Sequence, residues 1–278
     1  MHDRLKKIEE LLSEKYSSDI SAYDEIVLDK TISGRMKDLS YNSSDAYLSY
    51  LTENRSEFKI LISYLNNSYS EFFRNPLIYN FIEYVFLPII FKEKNSSRSG
   101  GIRIWSAGCA SGQEAYSLAI ITNDFKEAGR CGFDFKIFGT DRSSAEIQSA
   151  HLGIYHYKSL LNTKLAYIKS CFSKSGDYYT IDPEIKKCVD FSVYDLLEKD
   201  TFAPPSSIYG GFDIIMCCNL LFYYKQDYQK KILDKFFLSL NPGGFLITDN
   251  SEIGLINSFG IFRQYMTYLS VFCKPDSG

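Results

Sequence analysis

One stretch of the chain decides the fold: Ile102-Arg-Ile-Trp-Ser-Ala-Gly-Cys-Ala-Ser-Gly-Gln-Glu-Ala-Tyr-Ser-Leu-Ala-Ile-Ile121. It predicts a short apolar strand, a turn of small residues between Ser106 and Gly112, and a helix that begins near Glu114. Glycine in such a turn permits a tight reversal and lets a ligand approach the backbone. The turn lacks the GxGxxG fingerprint and the lysine of a phosphate-binding loop, so it suits a nucleoside ligand without a triphosphate. Taken alone, it is also typical of a plain strand-to-helix connection.

The alternation of strand and helix continues towards the C-terminus. Strands are predicted over 135–140, 212–217 and 245–248, helices over 144–151 and 226–240, and a final strand within 265–274. This alternation predicts an α/β domain with a parallel, doubly wound sheet. The alternation breaks between about 157 and 190, where two short β-like pieces, 178–181 and 187–191, predict a small β insertion.

The first ninety residues have a different pattern. Apolar residues recur there at helical spacing, Ser43 or Ser44 is a plausible N-cap, and Pro88 interrupts the last predicted helix. Residues 93–100 are polar and end in glycine, which is typical of a linker. We therefore expect an all-helical domain over 1–92, a linker over 93–100 and the α/β domain over 101–278.

Composition excludes several classes of protein. Hydrophobic residues make up 45% and charged residues 23% of the 278 residues, as in ordinary globular proteins. No apolar run approaches the ~18–20 residues of a membrane span, and the N-terminus lacks a signal-peptide pattern, so we expect a cytoplasmic protein without membrane insertion. A net charge of −3 argues against nucleic acid as the main partner. The seven cysteines form no CxxC pair and there are three histidines, so we predict no metal site and no disulfide framework.

Four polar residues are candidates for chemistry. Asp141 ends a predicted strand, where its carboxylate can accept two hydrogen bonds from a ribose diol, cap the next helix, or do both. Asn219 follows a central strand, at the edge where open α/β sheets bind ligands. Tyr223 either faces the same crevice or packs as an aromatic side chain. Arg74 follows two phenylalanines, and it is either solvated or aims its guanidinium at a carboxylate.

Five motifs together resemble those of the CheR family, whose members are S-adenosylmethionine-dependent protein-glutamate O-methyltransferases of bacterial chemotaxis. The motifs occur in the family's order, and the resemblance extends from about residue 19 to residue 274. It implies a Rossmann-like class I methyltransferase domain with a doubly wound sheet, an N-terminal helical domain and a small β-subdomain insertion. The motifs are the Ser-x-Phe-Phe-Arg run at 70–74, residues 105–119, Gly-Thr-Asp at 139–141, residues 217–224, and Pro-Gly-Gly at 242–244.

The resemblance also implies roles for individual residues. It implies S-adenosylmethionine as the cofactor and S-adenosylhomocysteine as the product, with Glu114 holding the cofactor's amino group and Asp141 the ribose hydroxyls. It implies that Arg74 and Tyr223 flank the methyl acceptor. The other residues that it places beside the cofactor are Ser70, Ala107, Gly108, Asp195, Leu196, Asn219 and Leu220, with Arg74 closing over the site.

The implied substrate is a glutamate in the cytoplasmic helical bundle of a chemoreceptor. Because the unperturbed pKa of glutamate is about 4.3, the acceptor is already ionised at pH 7, and the reaction needs positioning and partial removal of water rather than a general base. The sequence departs from the family in having Cys218 in place of an arginine, and in having only three basic residues against two acidic ones over 29–38. Two alternatives therefore stay open: a methyltransferase acting on a different signalling protein, and a degenerate S-adenosylmethionine-binding regulatory module.

Overall fold

The computed structural model describes residues 2–16, 19–65, 70–97, 100–130, 134–207 and 211–275. The chain divides into two compact units. Unit 1 comprises Met1–Ser68 and Leu220–Gln229, and unit 2 comprises Tyr69–Asn219 and Lys230–Gly278.

Unit 1 is helical, as the apolar spacing predicts. Its core consists of side chains with no more than a few per cent exposure, such as Ile8 and Leu12 from the first helix and Leu61 from the last. The N-cap of the third helix is Ser43, whose side chain accepts a hydrogen bond from Ala46 N. The helices are α1 (His2–Tyr16), α2 (Glu25–Asp38), α3 (Ser44–Glu53) and α4 (Arg55–Leu65).

Unit 2 contains the α/β part of the chain. Its helices are α5 (Pro76–Phe81), α6 (Leu87–Ser97), α7 (Gln113–Phe125), α8 (Ser144–Leu152), α9 (Leu165–Cys171), α10 (Pro183–Lys187), most of α11 (Gln226–Ser239) and α12 (Ile253–Phe259). Its strands are β1 (Ile102–Ala107), β2 (Phe135–Asp141), β3 (Ile154–His156), β4 (Phe172–Ser175), β5 (Tyr178–Ile181), β6 (Val189–Val193), β7 (Phe212–Met216), β8 (Leu240–Ile247), β9 (Arg263–Gln264) and β10 (Val271–Cys273). Single π-helical turns of unit 2 lie at Ile82–Phe86 and Lys126–Arg130, and its 3₁₀ turns lie at Tyr157–Leu160 and Asn250–Glu252. A further 3₁₀ turn, Leu221–Tyr223, belongs to unit 1.

Seven strands form the central sheet, in the order β6-β2-β1-β7-β8-β10-β9. The first five strands of that order pair in parallel, and β10 and β9 add an antiparallel edge. Every residue of β7 is buried, which is typical of a parallel strand covered on both faces. From β1 the chain adds β2 and β6 on one side of the sheet, and from β7 it adds β8 on the other side. The carboxyl ends of β1 and β7 therefore border the crevice where such sheets bind ligands. The doubly wound α/β prediction is confirmed.

The unit boundary lies earlier than the composition suggests. The residues between 70 and 92, such as Phe72, Phe86 and Ile90, share one buried core with strand residues such as Ile104 and Ile214. Because this apolar segment is covered by the sheet layer, it belongs to unit 2 rather than to the preceding helices. Helix α6 also continues through the first five residues of the predicted linker over 93–100. The domain limits 1–92 and 101–278 stay a prediction.

Two details of the predicted strands are wrong. Residues 187–191 do not belong to the β insertion, because Val189–Val193 pairs in parallel with β2 as the edge of the central sheet. The insertion is instead a three-stranded sheet in the order β3-β5-β4. The strand predicted over 245–248 begins earlier, because residues 241–244 lie within β8 (Leu240–Ile247), where the pairing with β7 is irregular. Within the described residues, no helix is long and apolar enough to cross a membrane.

Candidate functional site

The turn after β1 is shaped by left-handed glycines. Gly108 has φ +77° and Gly112 has φ +93°, a backbone conformation that other residues rarely adopt. The backbone N–H groups of Gly108 and Cys109 both donate to Thr140 O at 2.8 Å, which ties the turn to the end of β2. A Cβ on Gly112 would lie 2.9 Å from Ala150 Cβ, so a side chain there would force the turn away from α8. Ala107, the last residue of β1, is buried just before this turn.

Asp141 joins this turn to the loop after β2. Its Oδ2 accepts a hydrogen bond from Ala110 N at 3.0 Å, and its Oδ1 accepts one from Ser143 N at 2.8 Å. The N-cap of α8 is Ser143, so the alternative that Asp141 caps this helix is wrong. Burial raises the pKa of Asp141, although the backbone N–H groups oppose this effect. The structure thus holds a half-buried carboxylate in a fixed orientation at the carboxyl end of β2.

Glu114 lies in the first turn of α7, directly after the glycine turn. Its Oε1 accepts a hydrogen bond from Ser106 Oγ at 2.7 Å, and the Cys218 thiol is a weaker donor whose proximity lowers the pKa of the same carboxyl group. Burial raises the pKa of Glu114 to about 7, while those two donors and the positive charge of Arg74 lower it. The carboxyl ends of β1 and β7 therefore contribute side chains to a single polar cluster.

Arg74 belongs to this cluster because the two phenylalanines before it are anchored. The Phe72 ring packs edge-on against Tyr155, with ring centroids 4.8 Å apart. Phe73 adopts φ +53°, and its backbone N–H donates to Ser117 Oγ of α7 at 3.0 Å. Arg74 follows as an exposed residue whose positive charge lowers the pKa of Glu114. Whether its guanidinium is aimed at a carboxylate stays a prediction. Ser70, half-buried, begins the same loop.

Asn219 lies beyond the end of β7 with a strained backbone, at φ +57°. Its backbone N–H donates to Glu252 Oε2 at 3.1 Å, and Thr248 Oγ1 donates to the same oxygen. Its own Oδ1 is buried and has no hydrogen-bond partner within the described part of the chain. A buried acceptor of this kind is costly unless a bound group satisfies it. Sequence reasoning missed Glu252, which is completely buried although nothing in its local pattern distinguishes it from a surface carboxylate.

Asp195 and Leu196 lie in the segment that follows β6. The preceding residue, Tyr194, donates its backbone N–H to Asp141 O at 3.0 Å, which places this segment beside the end of β2. Asp195 is half-buried, and its Oδ1 accepts a hydrogen bond from Leu197 N at 2.9 Å. Leu196 is buried, so it supplies an apolar surface rather than a polar contact.

Leu220 and Tyr223 belong to unit 1. Tyr223 O accepts a hydrogen bond from Asp24 N at 2.8 Å, and the half-buried Tyr223 side chain packs against the helical core of that unit. Its ring also lies 4.5 Å from that of Phe222, centroid to centroid. These contacts support the aromatic-packing alternative for Tyr223. Its role at the methyl acceptor and the role of Leu220 beside the cofactor stay predictions.

Comparison with known proteins settles the family. The family model described as CheR methyltransferase, SAM binding domain, matches residues 68–260. This chain belongs to the CheR family. The chemotaxis protein methyltransferase of Borreliella burgdorferi is 26% identical over 254 residues, which cover 90% of this chain and 88% of that protein. The chemotaxis protein methyltransferase of Listeria innocua is 30% identical over 234 residues, which cover 84% of each chain.

The CheR family assignment makes this chain an S-adenosylmethionine-dependent methyltransferase, with S-adenosylmethionine as its cofactor. A solved structure of magnesium protoporphyrin IX methyltransferase from Synechocystis is 15% identical, covers 67% of this chain and 77% of its own, and has a TM-score of 0.33. A TM-score that low supports no statement about the site. The probable biofilm formation methyltransferase WspC of Pseudomonas aeruginosa is 26% identical over 94% of this chain and 59% of its own length.

Proposed function

We propose that this CheR-family protein transfers the methyl group of S-adenosylmethionine to glutamate side chains of a chemotaxis receptor and forms glutamate methyl esters. The observation that carries the proposal is the match to a chemotaxis protein methyltransferase over 90% of this chain and 88% of the relative. The match extends beyond the cofactor-binding part at 68–260, so it includes most of the segment before it. A receptor partner in turn favours a cytoplasmic location for the protein.

All but one of the residues that we assign to the cofactor lie in unit 2; the exception is Leu220. We assign the ribose diol to Asp141, whose two oxygens are already oriented by backbone N–H groups and keep further lone pairs. The cofactor's ammonium group is assigned to Glu114. The buried, unpartnered Oδ1 of Asn219 is an acceptor that a bound group would satisfy. The other residues proposed to line the cofactor are Ser70, Arg74, Ala107, Gly108, Asp195, Leu196 and Leu220.

The proposed reaction needs no general base. When bound, the cofactor supplies a methyl group on a positively charged sulfur. A carboxylate oxygen of the acceptor glutamate forms the new bond to the methyl carbon, the carbon–sulfur bond breaks, and its electron pair stays on sulfur, so no proton moves. The protein's contribution to such a step is orientation of the carboxylate and exclusion of water. Arg74 is suited to orienting the acceptor carboxylate through paired N–H donors, and Tyr223 to donating its hydroxyl hydrogen.

A different acceptor is the second candidate. The WspC relative, described as a probable biofilm formation methyltransferase, matches 94% of this chain, so similarity alone supports a signalling protein other than a chemotaxis receptor. A degenerate binding module is the weaker alternative, because Glu114, Asp141, Asn219, Arg74 and Tyr223 are all retained.

The test is transfer of a labelled methyl group from S-adenosylmethionine to a panel of receptors from the source organism. Label that is released as methanol by mild alkali identifies methyl esters, and receptor variants with glutamine in place of glutamate should lose it. Label on a signalling protein outside the receptor panel would support the second candidate instead. Cofactor binding without transfer to any protein would refute the enzyme proposal.

Two variants test the residues proposed to act on the acceptor. We expect Arg74→Ala and Tyr223→Phe each to lower turnover about tenfold or more while the proteins stay folded, because each loses one contact with the carboxylate. Lys199→Ala and Tyr268→Phe are matched controls, since both residues are exposed and neither has a proposed role. Unchanged turnover in both test variants would remove these assignments.

A further inference from the structure

Glu252 is a completely buried carboxylate that contacts the chain beyond β7. Its Oε2 accepts a hydrogen bond from Asn219 N at 3.1 Å, and Thr248 Oγ1 donates to the same oxygen. Burying a carboxylate is costly unless hydrogen-bond donors compensate for the lost water. Two of the donors that compensate Glu252 thus come from the segments that follow β7 and β8.

The position of Glu252 in its own segment does not explain this arrangement. Glu252 occupies the N-cap position of α12, but its side chain makes no capping hydrogen bond there. The preceding 3₁₀ turn is capped by Asp249, whose Oδ1 accepts a hydrogen bond from Ser251 N at 3.0 Å. The Glu252 side chain is therefore directed at the chain beyond β7 rather than at the helix that it precedes.

The backbone of Asn219 has a conformation that needs such support. Its φ of +57° lies in the left-handed region, which asparagine tolerates better than most residues but still at a cost. A strained conformation persists only where the surrounding structure determines it. Two hydrogen bonds hold this short segment: Cys217 N donates to Ile247 O at 2.9 Å, and Asn219 N donates to Glu252. The Glu252 carboxylate thus helps to fix the direction in which residue 219 presents its side chain.

The side chain of Asn219 ends in an acceptor that lacks a donor. Its Oδ1 is buried and has no hydrogen-bond partner among the residues that the structure describes. The residue lies beyond the carboxyl end of β7, at the edge where parallel sheets of this kind bind ligands. An amide oxygen can only accept a hydrogen bond, so the partner that completes the site is an N–H or O–H group. S-adenosylmethionine carries such groups on its amino-acid end, its ribose and its adenine.

We propose that Glu252 is a positioning residue for cofactor binding: its carboxylate holds the backbone of Asn219 in the left-handed conformation that directs Oδ1 at a donor group of the cofactor. The inference rests on the proposed place of Asn219 in the cofactor pocket. It adds a residue from the segment after β8 that acts through Asn219 rather than through a contact of its own with the cofactor.

Calorimetric titration with S-adenosylhomocysteine tests the role of the carboxylate. Glu252→Met removes both oxygens but keeps a flexible side chain of similar length, and we expect the dissociation constant to rise about three- to tenfold, the size of one lost hydrogen bond to the ligand. Glu252→Gln keeps an acceptor oxygen and should bind within about twofold of the wild type. Ser251→Ala is the matched control, because this exposed neighbour bonds to Asp249 and should leave the affinity unchanged.

A double substitution separates positioning from a general loss of stability. In Asn219→Gly, glycine adopts the left-handed conformation without steric cost and lacks the side-chain oxygen, so the variant should bind S-adenosylhomocysteine more weakly than the wild type. Adding Glu252→Met to that variant should then raise the dissociation constant by less than about twofold, because the oxygen that Glu252 positions is already absent. A merely structural role would give the same factor in both backgrounds. Thermal unfolding establishes that each variant is folded, and Glu252→Asp, which withdraws the carboxylate by one methylene group, replaces the methionine variant if that does not fold.

The outcomes separate this inference from the proposed pocket. Equal factors in the two backgrounds, or unchanged affinity in both Glu252→Met and Glu252→Asp, would overturn the inference and leave the pocket in place. Unchanged affinity in Asn219→Gly would remove Asn219 from the pocket and the inference with it. Absence of S-adenosylhomocysteine binding by the folded wild type would refute the pocket assignment as a whole.

Discussion

Replacing Asp141 with asparagine is the sharpest test of the cofactor pocket. In the structure, Ala110 N donates to one carboxylate oxygen and Ser143 N to the other, and the carboxylate keeps lone-pair capacity for ribose hydroxyls. Asparagine retains one acceptor oxygen and presents an NH₂ donor in place of the other. The variant therefore loses one charge-assisted ribose hydrogen bond and weakens the second, at about 1.5–3 kcal/mol for a bond to a charged group.

That energy corresponds to a dissociation constant for S-adenosylhomocysteine about 10- to 100-fold higher than in the wild type. Calorimetry at pH 8 measures it under conditions in which Glu114 is mainly ionised. Asp190→Asn is the matched control, because Asp190 is a partly exposed carboxylate on the adjacent strand that pairs with Lys136. It should leave the affinity unchanged.

Stability must be followed in parallel, because the substitution also disturbs the loop. Burial raises the pKa of Asp141, so its contribution to stability is largest when it is protonated and declines as the pH rises through its folded-state pKa. Asparagine does not ionise, so the variant avoids the loss of stability that Asp141 causes as the pH rises. This gain offsets part of the free energy of unfolding that is lost with the backbone hydrogen bond. A folded Asp141→Asn protein whose affinity for S-adenosylhomocysteine changes by less than about twofold would refute the ribose assignment.

Two further predictions concern the scaffold. A Cβ on Gly139 would lie 2.6 Å from the Phe191 ring, so Gly139→Ala should lower the free energy of unfolding by about 1–3 kcal/mol in a urea titration. Gly254→Ala is the control and should not lower it, because the space around Gly254 is open. Tyr47 donates its hydroxyl hydrogen to the buried Glu57 at 2.9 Å, so Tyr47→Phe should lower the midpoint of thermal unfolding by an amount equivalent to about 1.5–3 kcal/mol; an unchanged midpoint would show that this bond contributes nothing.

Local pattern was enough to predict the strand and the helix on either side of the glycine turn. The quoted stretch 102–121 contains strand, turn and helix signals that agree with one another, and the structure has β1 and α7 there. Local pattern failed where pairing partners decide the outcome. Residues 187–191 have the same short β pattern as 178–181, yet one segment extends the central sheet through β2 and the other belongs to the insertion. Nothing within either segment specifies which strand it will pair with.

The sequence by itself determined the family, the cofactor and the tight glycine turn, because each depends on residue types at fixed spacing along the chain. Only the tertiary structure decided which groups surround Glu114. Ser106 comes from β1, Cys218 from the end of β7 and Arg74 from the loop before α5, so residues distant in sequence meet at one carboxyl group. The same holds for Glu252, whose burial depends on packing around β8. Burial and charge proximity set the protonation of such groups, and both are properties of the packed molecule rather than of the local chain.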